Sequence, residues 1–348
     1  MGIFKKLLVI IIITIMITAI LGIPIHNVNG DVVKEPVKVD ILLYRFDDAY
    51  ISLVRQAFEE IQNKNKGKVE FTFYDGKDNQ SIQNESLNEI LEKGETDLIL
   101  LNLVDTKSTK EAINEIKEKN IPVILFNREP VDIDAIASYN KSYFVGTEAS
   151  EAGILQGKIL VDKWNKDKEV IDKNKDDIMQ YVMLMGEQDN LEAIQRTKYS
   201  VSTINNAGIK TQELALRICN WDEDTAKDTM EKLFLQYGER IEAIISNNDS
   251  MAIGAIETLQ KYGYNQGDKN KAIPVVGVDA IPAAQELIKK GFMTGSVLQD
   301  PKVMAEAIYS IGMNLVYGRK PLDGTEYKFD STGVAVRIPY KEYIETNK

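Results

Sequence analysis

Six apolar runs in this 348-residue chain end in polar side chains. Asp47 and Asp48 follow Tyr44-Arg45-Phe46, Asn102 follows Leu101, and Asn127 follows Leu125-Phe126. Later in the chain Asn247-Asn248-Asp249 follows Ile245-Ser246, Asp279 follows Gly277-Val278, and Gln299-Asp300 follows Val297-Leu298. Short apolar runs of this kind read as buried parallel strands, and open α/β sheets bind ligands beyond the carboxyl ends of such strands. Amides and carboxylates can serve several hydroxyl groups at once, so the tips suit a polyhydroxylated ligand better than a phosphate or a hydride acceptor. Alternation along a strand predicts that Asp47 and Asp48 face opposite ways, with one of them aimed at a cleft.

Tyr50 and Trp221 stand among polar neighbours at loop or helix-start positions. Each could stack on the C–H face of a sugar, or each could staple its own helix; sequence weighs the two evenly. Trp164, inside an amphipathic pattern, is expected in a core. In Asp172-Lys173-Asn174-Lys175-Asp176-Asp177-Ile178-Met179-Gln180 the oxygen-bearing side chains fall at positions 1, 3, 5 and 9, with the Ile178 carbonyl at 7, as in a calcium loop. Position 6 is Asp177 where glycine is usual, and position 12 is Met183 where a bidentate Glu is usual, so a charged surface loop is the competing reading.

Other chemistries are excluded. The chain has no Gly-x-Gly-x-x-Gly turn, no phosphate-binding Gly-x-x-x-x-Gly-Lys loop and no Gly-x-Ser-x-Gly elbow. His26 is the only histidine and falls in the leader, which removes a histidine-based catalytic group from the remainder of the chain. Cys219 is the only cysteine, so neither an internal disulfide nor a cysteine metal cluster can form. A net charge of −11 without a basic block beyond the N-terminus argues against a nucleic-acid partner.

The elements that must position these residues alternate. Apolar runs at 39 to 43, 69 to 73, 98 to 101 and 122 to 126 are separated by helical patterns at about 50 to 64, 79 to 92 and 108 to 118. The run 143 to 147 leads into a helix at about 149 to 165, and a second series follows. Its strands are expected near 180 to 184, 210 to 216, 242 to 246, 274 to 278 and 295 to 298. Lys119-Asn120-Ile121-Pro122-Val123-Ile124 is echoed by Lys271-Ala272-Ile273-Pro274-Val275-Val276, which suits two similar domains. The fold expected is α/β, two similar doubly wound parallel-sheet domains joined by a multi-segment hinge. The first lobe would comprise 38–146 plus about 300–331, and the second 147–299 plus about 332–345. Ahead of them, Lys5 and Lys6 precede an uncharged apolar stretch from Leu7 to Ile25, so residues 1–30 read as an export signal, cleaved or retained as a membrane anchor.

From Val39 to Tyr343 the chain resembles the galactose/glucose-binding proteins, type I periplasmic sugar-binding proteins of ABC transporters. The resemblance lies in long strings: Tyr44-Arg45-Phe46-Asp47-Asp48, Leu101-Asn102-Leu103-Val104-Asp105, Phe126-Asn127-Arg128-Glu129-Pro130, Val145-Gly146-Thr147, Asn247-Asn248-Asp249-Ser250-Met251-Ala252 and Val276-Gly277-Val278-Asp279-Ala280. It implies a non-enzymatic, extracytoplasmic protein that closes on a D-hexose and delivers it to a membrane permease. The alternative is a membrane-tethered sensor serving a chemoreceptor or sensor kinase. The implied sugar contacts are Asp48, Tyr50, Asn127, Asn190, Glu192, Arg196, Trp221, Asn248, Asp279 and Gln299, with Tyr50 and Trp221 sandwiching the ring. Asn190, Glu192 and Gln299 stand where the family has His, Asp and Asn. The resemblance also implies a structural calcium ion held by Asp172, Asn174, Asp176, the Ile178 carbonyl, Gln180 and, in place of the missing position-12 ligand, Glu242.

Overall fold

The computed structural model describes residues 35–345; the expected export signal lies outside the described residues. Among the described residues no helix is long and apolar enough to cross a membrane. The first series runs β1 (Val37–Leu43), α1 (Ala49–Lys64), β2 (Val69–Asp75), α2 (Gln80–Lys93), β3 (Leu98–Leu101), α3 (Thr109–Glu118), β4 (Val123–Phe126), α4 (Ile133–Ala137) and β5 (Ser142–Gly146). The second runs α5 (Ala149–Ile171), β6 (Ile178–Met185), α6 (Leu191–Asn206), β7 (Lys210–Ile218), α7 (Glu223–Tyr237), β8 (Ala243–Ser246), α8 (Asp249–Lys261), β9 (Val275–Asp279), α9 (Pro282–Lys289) and β10 (Gly295–Leu298). The chain then returns through α10 (Pro301–Val316) and β11 (Ala335–Arg337) and closes with β12 (Lys341–Ile344).

Two six-stranded sheets result, ordered β11-β5-β4-β3-β1-β2 and β12-β10-β9-β8-β6-β7. Apart from the last strand of each, the two orders are the same, and the switch point falls between β1 and β3 in one lobe and between β6 and β8 in the other. Strands such as Leu98–Leu101 and Val123–Phe126 are buried throughout because helices cover both faces of the sheet. Apolar cores accordingly lie on either side of each sheet, one under α1 and α10 in the first lobe and one under α7 and α8 in the second.

The same device holds both switch points open. Asn102, just past β3, accepts the Tyr44 N–H at 3.2 Å and donates to the Phe126 carbonyl at 3.1 Å. Asn247, just past β8, accepts the Gly186 N–H at 3.1 Å. Each amide ties together strand ends that have begun to diverge, and each is fully buried.

Three expectations need correction. Residues 332–345 do not all belong to the second lobe: β11 pairs in parallel with β5, and only β12 crosses to pair antiparallel with β10. The final crossing is therefore at Ile338–Tyr340, because Ala335 and Val336 fill an edge position in the first core. Asp47 and Asp48 are not separated by strand alternation, since β1 ends at Leu43; Asp48 is turned inward as the N-cap of α1, accepting the Ile51 N–H at 2.8 Å. Finally α5 runs past 165 to Ile171, with a non-helical break at Asp167, because Trp164 and Ile171 both reach the second core.

Asn102→Ala should lower stability by about 1–3 kcal/mol, since it orphans the buried Tyr44 N–H and leaves the Phe126 carbonyl with the Arg128 N–H as its donor. Urea denaturation measures this, and a change below a few tenths would show that the strand ends need no such tie.

Candidate functional site

The strand ends of the two lobes face each other across a cavity with about 390 Å³ of empty space, part of it open to solvent. All ten residues singled out from the sequence line it, together with Tyr44, Ile51 and Arg128. Helix starts place three of them. Asp48, Asn190 and Asn248 are the N-caps of α1, α6 and α8, each accepting an N–H from its own first turn, which brings three helix N-termini to one cleft. Strand ends place two more. Asn127 after β4 and Asp279 at the end of β9 occupy matching positions in the two lobes, and both have positive φ, 64° and 110°. Such backbone costs on the order of 1–3 kcal/mol for a residue other than glycine, and here it turns both side chains into the cleft.

The aromatic walls differ in their support. Tyr50 sits in the first turn of α1 with its hydroxyl 3.5 Å from Met304 Sδ and its ring in the first core. Burial pushes its phenol well above the usual range, and the Asp279 carboxylate raises it further. Trp221 follows Asn220 in a turn where both have positive φ, and its carbonyl accepts from Asn248 Nδ2 at 3.2 Å. Its indole lies close against Gly186, where a Cβ would collide with the ring, so glycine is required there by close approach. Both rings thus line the cavity and pack in a core at the same time, and the two alternatives left open by the sequence are not exclusive. Trp164 is a core residue, as expected.

Charge gathers on the second-lobe side. Arg196, from α6, is buried and donates to the Asn247 carbonyl at 2.8 Å, to Tyr340 Oη at 2.8 Å and to Gln299 Oε1 at 3.1 Å. Burial pushes the Asp279 carboxyl well above the usual carboxylate range; Arg196 draws it back, and Asp249 and Asp48 raise it further. Beneath it Asp249 accepts from Ser296 Oγ at 2.6 Å and from the Ile281 N–H at 2.9 Å, and burial still pushes it up to about 7.

The lobes touch through polar contacts across the cleft. Arg128 makes a bidentate pair with Glu187 at 3.0 and 2.6 Å, Lys107 pairs with Asp189 at 2.7 Å, and the Glu129 N–H donates to Glu192 Oε1 at 2.7 Å. Arg128, Tyr44 and Tyr340 were not anticipated as part of the site. The signal for Arg128 and Tyr44 was their place in strand-end strings; nothing in the local pattern marks Tyr340.

The loop 172–180 joins α5 to β6. Asp172 accepts the N–H groups of Asp176 and Asp177 at 3.1 Å each, Asn174 accepts that of Asp176 at 3.0 Å, and Asp176 accepts that of Ile178 at 2.9 Å. Glu242 reaches the loop from the second sheet and accepts the N–H groups of Lys173 and Gln180 at 2.9 and 3.0 Å. Asp177 takes the left-handed conformation in place of the usual glycine, with φ 66°. Among the described residues no cluster of three or more acidic, His or Cys side chains is close enough to hold a metal ion by itself. The structure therefore brings the six expected ligands into one neighbourhood, with their carboxylates turned onto backbone N–H groups.

A two-lobed cleft of this geometry, with its polar groups at facing strand ends, is the arrangement of a solute-binding protein. Residues 39–320 match the periplasmic binding protein domain, and the chain belongs to that family. It is a binding protein of the sugar-transport class and not an enzyme. Over 304 residues it is 36% identical to the D-galactose/methyl-galactoside binding periplasmic protein MglB of Haemophilus influenzae, covering 87% of this chain and 88% of the relative. In fold it is similar to a solute-binding protein from Bacillus halodurans solved with myo-inositol, with TM-score 0.73, 24% identity, and coverage of 89% of this chain and 95% of the other. It is equally similar to one from Actinobacillus succinogenes solved with D-allose, with TM-score 0.73, 20% identity, and coverage of 88% and 97%.

An acid whose pKa is higher folded than unfolded binds its proton more tightly in the native state. Between about pH 4, the unfolded Asp value, and about 7, folded Asp249 keeps a proton that the unfolded chain has lost. Stability of the sugar-free protein should fall as pH rises through this window, and Asp249→Asn should flatten the slope in urea denaturation. A slope identical in both proteins would mean that Asp249 ionises normally in the fold.

Proposed function

We propose that the protein captures a D-hexose, galactose or glucose, between its lobes outside the cytoplasmic membrane and presents the closed form to an ABC transporter permease. The observation that carries this reading is a single cavity whose polar lining is incompletely paired. Glu192 Oε2, Arg196 Nε, Trp221 Nε1 and Gln299 Nε2 are buried and have no hydrogen-bond partner. A buried polar atom left so costs about 1–3 kcal/mol, and a ring of hydroxyls, each both donor and acceptor, can satisfy acceptors and donors together. Two aromatic faces, Tyr50 and Trp221, would hold the apolar sides of the ring, and the identity to a galactose-binding relative supports the choice of hexose. Differential affinity for the closed arrangement would then drive the hinge.

Titration calorimetry with galactose, glucose, ribose and xylose tests the reading. Hexoses should bind, and pentoses should bind less well because they leave polar groups near the hydroxymethyl end unpaired. Trp221→Ala should weaken hexose binding by on the order of 1–3 kcal/mol. A preference for a pentose would overturn the hexose assignment, and unchanged affinity in the variant would return Trp221 to a purely packing role.

We also propose that Asp172, Asn174, Asp176, the Ile178 carbonyl, Gln180 and Glu242 hold a structural calcium ion. Gln180 Oε1 is buried without a partner, and Glu242, nearly fully buried, has backbone N–H groups as its hydrogen-bond partners. A hard cation taking oxygen ligands would serve both. Calcium should raise the melting temperature of the chelator-treated protein and leave the melting temperature of Glu242→Gln unmoved; a chelator without effect on the parent would count against the site.

A further inference from the structure

Tyr340 lies in the short segment between β11 and β12, nearly fully buried, and does not line the cavity. Its hydroxyl nevertheless meets three polar groups from three different parts of the chain. Arg196 Nη2 donates to it at 2.8 Å, Thr147 Oγ1 lies 2.8 Å away, and it donates to Gln299 Oε1 at 3.1 Å. A phenol has one proton and two lone pairs. With the proton on Gln299, Arg196 and Thr147 must both donate, so the hydroxyl is saturated and has a single arrangement. Thr147, Gln299 and Tyr340 lie on the three separate connections between the lobes, just after β5, just after β10 and just before β12.

This arrangement decides what the neighbouring residues offer the cavity. Gln299 Oε1 is occupied twice, by Arg196 Nη2 at 3.1 Å and by the phenol, so its Nε2 is the end left without a partner. Arg196 has its two outer nitrogens engaged on Asn247, Gln299 and Tyr340, which leaves Nε unpaired. Its guanidinium carbon lies 5.7 Å from the Trp221 ring centroid and 5.9 Å from that of Tyr340. We infer that Tyr340 is a positioning residue for ligand recognition: its hydroxyl fixes which donors Arg196 and Gln299 present to the sugar and joins that choice to all three hinge segments. The inference rests on the sugar-binding reading of the cavity, but its first test needs no sugar.

Tyr340→Phe removes the hydroxyl and keeps the ring. In a Trp164→Phe background Trp221 is the sole tryptophan, and release of Arg196 should shift its emission and raise its quenching by acrylamide in the sugar-free protein. Unchanged emission and quenching would overturn the inference, since Arg196 would then hold its place unaided. With D-galactose and its monodeoxy analogues, calorimetry should give about a ten-fold loss of affinity for the full sugar. The penalty for deleting the one hydroxyl that Arg196 or Gln299 serves should shrink, while penalties at other positions persist. A loss uniform across the analogues, or one reproduced by Thr147→Ala, would mean that the hydroxyl only stiffens the hinge and would also overturn it. If D-galactose fails to bind the parent, the hexose reading falls and the emission of Trp221 alone decides the role of Tyr340.

Discussion

A guanidinium removed from water must find hydrogen-bond acceptors in its plane and countercharge nearby, and the surroundings of Arg196 are organised by that requirement. Its acceptors come from a strand end, Asn247, from a connection between the lobes, Gln299, and from the last crossing, Tyr340. The acids beside it are Asp279 and Glu192, whose carboxyls burial pushes up and the cation draws part of the way back. Removing the cation would leave two buried acids without their compensating charge and a phenol and an amide without their donor. The cavity floor and the hinge are therefore one polar network.

The duplication explains why such a network can sit between two lobes. Each lobe offers the same pieces: an amide at the switch point, Asn102 or Asn247, and a left-handed residue after or at the end of the fourth strand, Asn127 or Asp279. What differs is charge. The second lobe carries Arg196 with its acids, whereas the first supplies Asp48, Asn127 and the Tyr50 ring. Facing one another, the two halves are complementary without being identical. The pairs at the mouth of the cleft, Arg128 with Glu187 and Lys107 with Asp189, then favour closure. Arg128 is buried and its partner is partly exposed; burial works against the cation, and Glu187 outweighs it.

Glu192 acquires a particular meaning in this frame. Its extra methylene, relative to the aspartate of the family it resembles, raises the question of how an unchanged ligand pose could be kept. In the structure the longer side chain places Oε1 on the Glu129 N–H of the opposite lobe at 2.7 Å and leaves Oε2 buried and unpaired. The added reach is spent on contact between the lobes, and one carboxylate oxygen remains for whatever the cavity holds.

The local pattern was sufficient for everything that depends on neighbours in sequence. Alternating apolar runs marked the parallel strands, and the polar residue after each run marked the cleft, because a doubly wound sheet leaves the carboxyl ends of its strands uncovered. Asp48 and Asn248 could be read as site residues from their places at the ends of apolar runs, and Tyr50 and Trp221 as candidate sugar faces from their polar surroundings. The string resemblance added Asn190, Glu192 and Arg196, which no spacing rule marks. Only the tertiary structure decided the rest. β11 joins the first sheet because an edge of that sheet could bury Ala335 and Val336, a matter of distant packing that a short apolar run does not encode. Tyr340 sits in an irregular segment with no period, and its partners Thr147, Arg196 and Gln299 are far from it in sequence, so their meeting exists only once both lobes have formed. The cross-cleft pair of Arg128 and Glu187 is of the same kind: each residue alone reads as a surface charge, and closure of the two lobes makes them a partly buried contact.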